Sequence, residues 1–231
     1  MARVEHPTKP PANPRARGPD RSAALEQYRR RADVYDVELA LLEPVRKRAI
    51  ERLALKPGDT VLDVGCGTGM SLPLLQRAVG ASGRIVGIEQ SPDMIEKARQ
   101  RVAQAGWRNV TLVNAPVEVA ELSSVMAKPA DAALFHFTHD ILRQPQAVAH
   151  VLAQLAPGAK VVASGLKWAS PWLWPVNLFV LPAALHSVTS LDGLDKPWSH
   201  LIGITEDRGV ETMLGGGVYI ASRVCKGGKV R

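Results

Sequence analysis

The sequence predicts an α/β fold, a doubly wound sheet of mostly parallel strands with helices on both faces. Three observations predict it. A short apolar strand, Val61-Leu62-Asp63-Val64, runs into Gly65-Cys66-Gly67-Thr68-Gly69 and then into the apolar helix opened by Met70-Ser71-Leu72. About twenty residues on, as nucleotide folds require, a second strand, Gly83-Arg84-Ile85-Val86-Gly87-Ile88-Glu89, ends in an acid. Beyond it, short β-rich runs alternate with helical apolar spacing, which is the pattern of a parallel sheet.

The first 20 residues, MARVEHPTKPPANPRARGPD, are basic and proline-rich with almost no large apolar side chains. Such a stretch cannot bury a core, so a disordered tail is expected there. Residues 21–231 are expected to form a single domain, with residues 21–55 as an N-terminal helical cap. A helix is expected from Ser22 through Asp36, with Tyr28 and Tyr35 seven apart and so on one face. A second helix runs from about Pro44 to Leu53.

Lys56-Pro57-Gly58-Asp59 is a turn leading into the first strand. The three alternate glycines after it lack Cβ atoms, so the chain can bend sharply and a ligand can lie against the backbone. The spacing is Gly-x-Gly-x-Gly, not the Gly-x-Gly-x-x-Gly of dinucleotide folds. Asp63 is a second departure, since a carboxylate there suits a ligand that carries an ammonium group. Glu89, at the end of strand two, suits ribose hydroxyls. Ser91-Pro92-Asp93 then opens a helix with a capping serine, a proline in the first turn and an acid at the positive end.

With these residues in hand, the chain resembles the class I S-adenosylmethionine (SAM)-dependent methyltransferases. The match rests on Val61 to Gly69 and on Ile85 to Met94, and extends over roughly Tyr28 to Arg223. The resemblance implies a seven-stranded sheet in the order 3-2-1-4-5-7-6, with strand seven antiparallel between five and six. It implies that Asp63, Gly65, Cys66, Gly67 and Gly69 hold the methionine part of SAM, that Glu89 holds the ribose, and that Gln90 and Met94 flank the adenine. It also implies that a tyrosine of the N-terminal helix, Tyr35, closes over the cofactor.

Strand three is expected at Asn109–Val113. Members of the family often carry an acid in the following turn, against the adenine amino group. This chain has Ala115 and Pro116 there, leaving the N–H of Val117 or the side chain of Asn114 as substitutes. Pro129–His136 reads as strand four. Ligands sit at the carboxyl ends of parallel strands, so the methyl group and its acceptor are expected to meet at His136-Phe137-Thr138-His139-Asp140. His139 and Asp140 are the candidate catalytic residues, because a histidine titrates near neutral pH and can serve as a base. His136 is expected to form a wall of the cofactor site. No metal is expected, since His136-x-x-His139 has neither a helix nor a third ligand to support it.

A helix starts at Gln144-Pro145 and ends at Ala156-Pro157-Gly158, before strand five at Ala159–Gly165. Strands six and seven are expected at Arg208–Leu214 and Val218–Val224, turned by three glycines. Residues 168–200 form an insert. Within it Trp168 to Leu185 holds three of the five tryptophans and is broken by Pro171, Pro175 and Pro182. It is expected to be neither strand nor regular helix. It reads as a mobile cover over an apolar acceptor, a membrane-contacting surface, or a capping layer on the core. The insert and the stretch Thr189–Trp198 loosely resemble bacterial phospholipid and quinone methyltransferases.

Composition narrows the function. The chain has 231 residues, 46% of them hydrophobic, which suffices for one α/β domain and an appendage. Its two cysteines, Cys66 and Cys225, form no CxxC pair, which fits a reducing, cytoplasmic setting. The net charge of +7 lies partly in the tail and first helix and is a weak pointer to an anionic partner. No run of about twenty apolar residues reads as a membrane span, and the N-terminus lacks the apolar core of a signal peptide. In the family the chain resembles, an Asn/Asp-Pro-Pro-Tyr/Phe motif after strand four marks methylation of planar nitrogens of nucleobases or Gln side chains; its absence here implies that nucleic acid and protein are unexpected partners. The expected activity is methyl transfer from SAM to a small-molecule or lipid acceptor, with peripheral membrane contact open and no oligomeric state implied. The alternatives are transfer of the aminocarboxypropyl group of SAM, a non-catalytic SAM-binding or RNA-associated protein, and a nicotinamide dehydrogenase, which the glycine spacing and Asp63 oppose.

Overall fold

β1, Thr60–Val64, is buried along its whole length. Alternate side chains of a strand point to opposite faces, so a strand buried on both must be apolar at every position save where function intervenes. Thr60 opens the strand, and Asp63 is its one charged residue. The computed structural model describes residues 42–188 and 190–226. The expected tail, the Ser22–Asp36 helix and Tyr35 lie outside them.

From β1 the chain crosses through α2, Leu72–Val79, to β2, Arg84–Glu89, and through α3, Pro92–Ala105, to β3, Val110–Asn114. α1, Glu43–Leu53, precedes β1. After β3 come β4, Ala130–His136, α4, His139–Leu142, α5, Pro145–Leu152, and β5, Leu155–Leu166. A 3₁₀ turn at Pro171–Leu173 and α6, Trp174–Ser187, lead to β6, Thr205–Met213, and β7, Val218–Cys225. The seven strands form one sheet, ordered β3-β2-β1-β4-β5-β7-β6. Neighbours from β3 to β5 are parallel, while β7 runs antiparallel to both β5 and β6. This is the order expected from the sequence.

The sheet has a core on each face. Leu62, Val64, Val86, Ile88 and Phe135 point to one side, against Val148 and Val151 of α5. Val61, Ile85, Leu134 and Val162 point to the other, against Val45, Ala49 and Leu53 of α1 and Leu72, Leu75 and Val79 of α2. α3 starts as its sequence indicates. The Ser91 hydroxyl accepts from the Met94 N–H at 3.4 Å, and Gly106 ends the helix in the left-handed conformation.

Two boundaries differ from the sequence reading. β5 begins at Leu155, not Ala159, because Ala156-Pro157-Gly158 bulges out of the strand and does not end the preceding helix. The register jumps from Ala130↔Leu155 to Ala132↔Lys160 across it. β6 likewise begins at Thr205, with an irregularity between Asp207 and Val210.

The larger correction is the tryptophan segment. Residues 174–187 are a regular α-helix despite their prolines. Pro175 falls in the first turn, where a helix has no use for the missing N–H. Pro182 falls inside. A capping layer is also excluded for most of the segment. Trp172 is 91% exposed, Phe179 78% and Trp174 63%, and among the described side chains of α6 only Val180 and Ala184 are buried. None of the described helices is long and apolar enough to cross a membrane.

Candidate active site

The carboxyl ends of β1, β2 and β4 open on a cleft of about 750 Å³. Gly65 and Gly67 of the turn, Glu89 and Gln90 after β2, Met94 of α3, Val117 and the segment Phe137–Ile141 are among its walls. A smaller chamber of about 320 Å³ shares Gly65 and Gly67 and runs inward to Asp63, Cys66, His136 and Arg46.

The glycines differ in purpose. Gly65 has φ +71°, and a Cβ on it would lie 2.5 Å from Thr138 Cγ2, so the loop after β4 packs against bare backbone. Gly69 has φ +80° and would place a Cβ 2.7 Å from Leu72 Cδ1, so it serves the packing of α2 and α3. It is on the wall of neither chamber, and the same holds for Ala115 and Pro116.

Glu89 ties the site together. One carboxylate oxygen accepts from the Gly67 N–H at 3.1 Å and the other from the Ser91 N–H at 2.8 Å. Burial pushes its pKa above the ordinary 4.5, against the pull of those N–H groups. Each oxygen keeps a lone pair for a further donor. Asn114 is occupied elsewhere, donating to the Glu89 carbonyl at 2.9 Å. Glu118, three residues past Ala115, does line the cleft, so an acid stands on this wall from a later position.

Asp63 is 2% exposed, and its Oδ2 has no hydrogen-bond partner. Burial raises its pKa from 3.8 to about 7, opposed by Arg46 and assisted by Glu89. Arg46 is 1% exposed, a full cation inside the domain. Its guanidinium pairs with Glu43 and donates to Met70 Sδ at 3.7 Å. The sequence reading missed it inside a run of basic residues. A signal was present: Arg46, Ala49, Ile50 and Leu53 fall at i, i+3, i+4 and i+7, which places a charge on the buried stripe of α1.

His136 accepts or donates at Nδ1 with the Ser164 hydroxyl, 2.8 Å away, and its ring meets Phe137 edge-on. Burial, then Arg46, lowers its pKa from 6.5 to about 3, so it is neutral. Cys66 is buried and its thiol is pushed well above the usual range, chiefly by that burial. It is a small wall residue and no nucleophile at neutral pH.

Phe137 adopts φ +56°, a left-handed conformation rare outside glycine and one that costs about 1–3 kcal/mol. The backbone turns there, from β4 to α4. His139 follows, 8% exposed, with Nε2 3.1 Å from the Asp192 carbonyl. A carbonyl only accepts, so Nε2 carries the proton and Nδ1 presents a lone pair. That Nδ1 is buried with no partner. Burial holds the His139 pKa below 6.5, partly offset by Asp140 and the Asp192 carbonyl. The ring is therefore a neutral base with a fixed tautomer. Asp140 faces the main cleft. Thr138 contributes a buried hydroxyl without a partner.

Phe137, His139 and Ser187 also border a small hollow, lined further by Ser164, Gly165, Leu166 and Tyr219, with room for little more than a water. Among the described residues no three His, Cys, Asp or Glu side chains gather as a metal site would require.

Comparison with known proteins agrees with this geometry. The family model described as "Methyltransferase domain" matches residues 55–174. An uncharacterized 37.1 kDa protein in transposon TN4556 of Streptomyces fradiae is 33% identical over 121 residues, 52% of this chain and 34% of that one. A protein-L-isoaspartate O-methyltransferase of Aeropyrum pernix is 32% identical over 115 residues, 50% of this chain and 42% of that one. The chain thus spans well under half the length of these curated relatives. The crystal structure of a SAM-dependent methyltransferase from Aquifex aeolicus superposes with a TM-score of 0.53 at 20% identity, covering 78% of this chain and 89% of that one, a likeness of fold.

Proposed function

We propose, from the premise that the chain belongs to the class I SAM-dependent methyltransferase family, that it transfers a methyl group from SAM to an apolar or amphiphilic small acceptor. The observation that carries the cofactor assignment is Asp63. A buried carboxylate oxygen without a partner is costly unless a ligand supplies one. Asp63 beside Arg46 offers opposite charges for the ammonium and carboxylate of an amino-acid group. Glu89 offers two half-used oxygens to a diol, and Ile88, Met94 and Val117 offer apolar walls to a base. These residues fit SAM.

SAM held there would supply an electrophilic methyl group with a neutral thioether as its leaving group. The chain's own residues align and deprotonate. Asp63, Arg46 and Glu89 fix one partner at several points, which converts a bimolecular encounter into an oriented one. His139 Nδ1 takes the acceptor proton, while the Asp192 carbonyl keeps the ring in the right tautomer. An apolar or amphiphilic acceptor is supported by α6. It carries no charged residue, exposes Trp174, Leu178, Phe179 and Leu185, and reaches the cleft through Ser187.

The test is incubation with methyl-labelled SAM and candidate acceptors or cell extract. Labelled product and S-adenosylhomocysteine are expected. His139→Ala should cut turnover by about 10²–10⁴-fold at unchanged cofactor affinity. Release of methylthioadenosine in place of S-adenosylhomocysteine, or failure of SAM to bind, would overturn the assignment.

A further inference from the structure

His139 opens the short helix α4, but its ring is aimed from outside that helix. Nε2 lies 3.1 Å from the carbonyl oxygen of Asp192. That carbonyl is in neither strand nor helix. It belongs to residues 191–194, a turn closed by a bond from the Leu194 N–H to the Leu191 carbonyl at 3.4 Å. Within the turn only Gly193 has a positive φ, +76°. A negative φ followed by one near +80° is the type II β-turn, whose third position favours glycine.

Both ends of the turn are fixed. Leu194 is fully buried, and its carbonyl accepts from the Trp168 N–H at 2.9 Å. The Ser190 hydroxyl accepts from the Asp192 N–H at 3.1 Å, and the Gly193 carbonyl from the Lys196 N–H at 3.1 Å. The soft coordinate left between them is the central peptide, which runs from the Asp192 C=O to the Gly193 N–H. Type I and type II turns share their end positions and differ by about half a revolution of that plane. A trans peptide carries its C=O and its N–H on opposite edges. Rotating the plane therefore puts an N–H where the carbonyl was, facing His139 Nε2.

We propose that Gly193 is a positioning residue for His139: by holding residues 191–194 in the type II form, it selects the tautomer of the ring with the proton on Nε2. A side chain at 193 that favours negative φ drives the turn to type I. The N–H of residue 193 then faces Nε2, which has to accept. Nε2 gives its proton to solvent, Nδ1 takes one up, and the lone pair at Nδ1 is lost. The choice of tautomer stands on the turn alone, while its consequence for turnover rests on the reading of His139 as the base. Arg143 adds a second effect. A Cβ at 193 would lie 2.7 Å from Arg143 Nη1 and 2.9 Å from Cζ, so any substitution pushes the guanidinium aside, and Arg143 acts on the charge of His139. Two side chains with the same Cβ and opposite φ preferences separate the effects. Asparagine tolerates the left-handed region, whereas β-branched valine does not.

The experiment is nitrogen-15 NMR of the full chain labelled at histidine, at about pH 8, where the imidazole is neutral. Wild type, Gly193→Asn and Gly193→Val are compared, and His139→Gln identifies the His139 signals. Wild type and Gly193→Asn are expected to carry the proton on Nε2, and Gly193→Val on Nδ1. Calorimetry should give an unchanged S-adenosylhomocysteine affinity in both variants, since Gly193 is on the wall of neither cofactor chamber. The rate of methyl transfer from labelled SAM to acceptors in cell extract should fall about 10²–10⁴-fold in Gly193→Val, the worth of a general base, and far less in Gly193→Asn. A protonated Nδ1 in the wild type, or a protonated Nε2 in Gly193→Val, would overturn the proposal. So would the same change in Gly193→Asn as in Gly193→Val, which would trace it to Arg143. Should Gly193→Val not fold, Gly193→Ala replaces it, with the same Cβ and the same preference for negative φ. A switched tautomer with unaltered transfer would support the turn and count against His139 as the base. Failure of the wild type to bind S-adenosylhomocysteine would count against the methyltransferase reading, and the tautomer series would still judge the turn.

Discussion

The buried carboxylate of Asp63 makes cofactor affinity depend on pH in a range where free aspartate does not titrate. Its pKa stands at about 7 in the empty site. A bound ammonium favours the charged form, so binding below that value requires release of a proton. At pH 7 about half of the Asp63 population is ionised and at pH 6 about a tenth, so affinity should fall about fivefold over that step and about tenfold more by pH 5. Above about pH 8 the ligand's own α-amino group begins to lose its proton, and affinity should fall again. Titration calorimetry with S-adenosylhomocysteine, in buffers of different ionisation enthalpy, reads both the affinity and the proton released. Asp63→Asn should bind more weakly, by about 2 kcal/mol for a lost charged partner, and should show no step near pH 7. Stability runs the other way. A folded pKa raised above the unfolded one contributes stability that is present below 3.8 and lost as pH rises through about 7. The gap of about 3 corresponds to a cost on the order of 4 kcal/mol at pH 8. Unliganded Asp63→Asn should therefore melt higher than wild type at pH 8 and not at pH 4. A wild-type affinity that is flat between pH 5 and pH 7 would refute this reasoning.

Arg46→Met keeps an unbranched, flexible stem at this buried position and removes the charge. It should weaken S-adenosylhomocysteine binding and move the affinity step to higher pH, since Arg46 holds the Asp63 pKa down; a step that stays put on calorimetry would show the two groups to be uncoupled. Trp172→Ala should leave the melting temperature within a degree or two, because a side chain that is 91% exposed loses under about 1 kcal/mol of burial. A large fall by calorimetric scan would mean that the ring is covered in solution.

The inner strands were legible because β1, β2 and β4 are largely apolar runs that follow glycine or proline turns, and burial on both faces demands such runs. Asp63 and Glu89 were legible for the complementary reason: each is a carboxylate placed where packing alone would choose an apolar residue. α6 was not. Proline was read as a breaker, but at Pro175 the helix has no hydrogen bond to lose. Arg46 was hidden because two of its partners, Met70 and Asp63, lie far from it in sequence, and only the fold brings them together. Thr138 and the rear hollow were hidden likewise, since they arise where the ends of β4 and β5 meet the start of β7.

The order of strands in the sheet has a consequence for synthesis. All strands that carry the cofactor cleft, β1 to β4, are made once His136 is added, and they pair among themselves. β5 follows soon, but its outer edge pairs only with β7. Roughly sixty residues separate the ends of those two strands, about 3–12 s of translation at usual rates. During that interval an apolar edge, Val161-Val162-Ala163, stands open to any strand that arrives first. The nascent chain is thus most prone to aggregate late, after the other inner strands have been made. Truncation before Val218 should yield protein that precipitates, and not a smaller soluble domain.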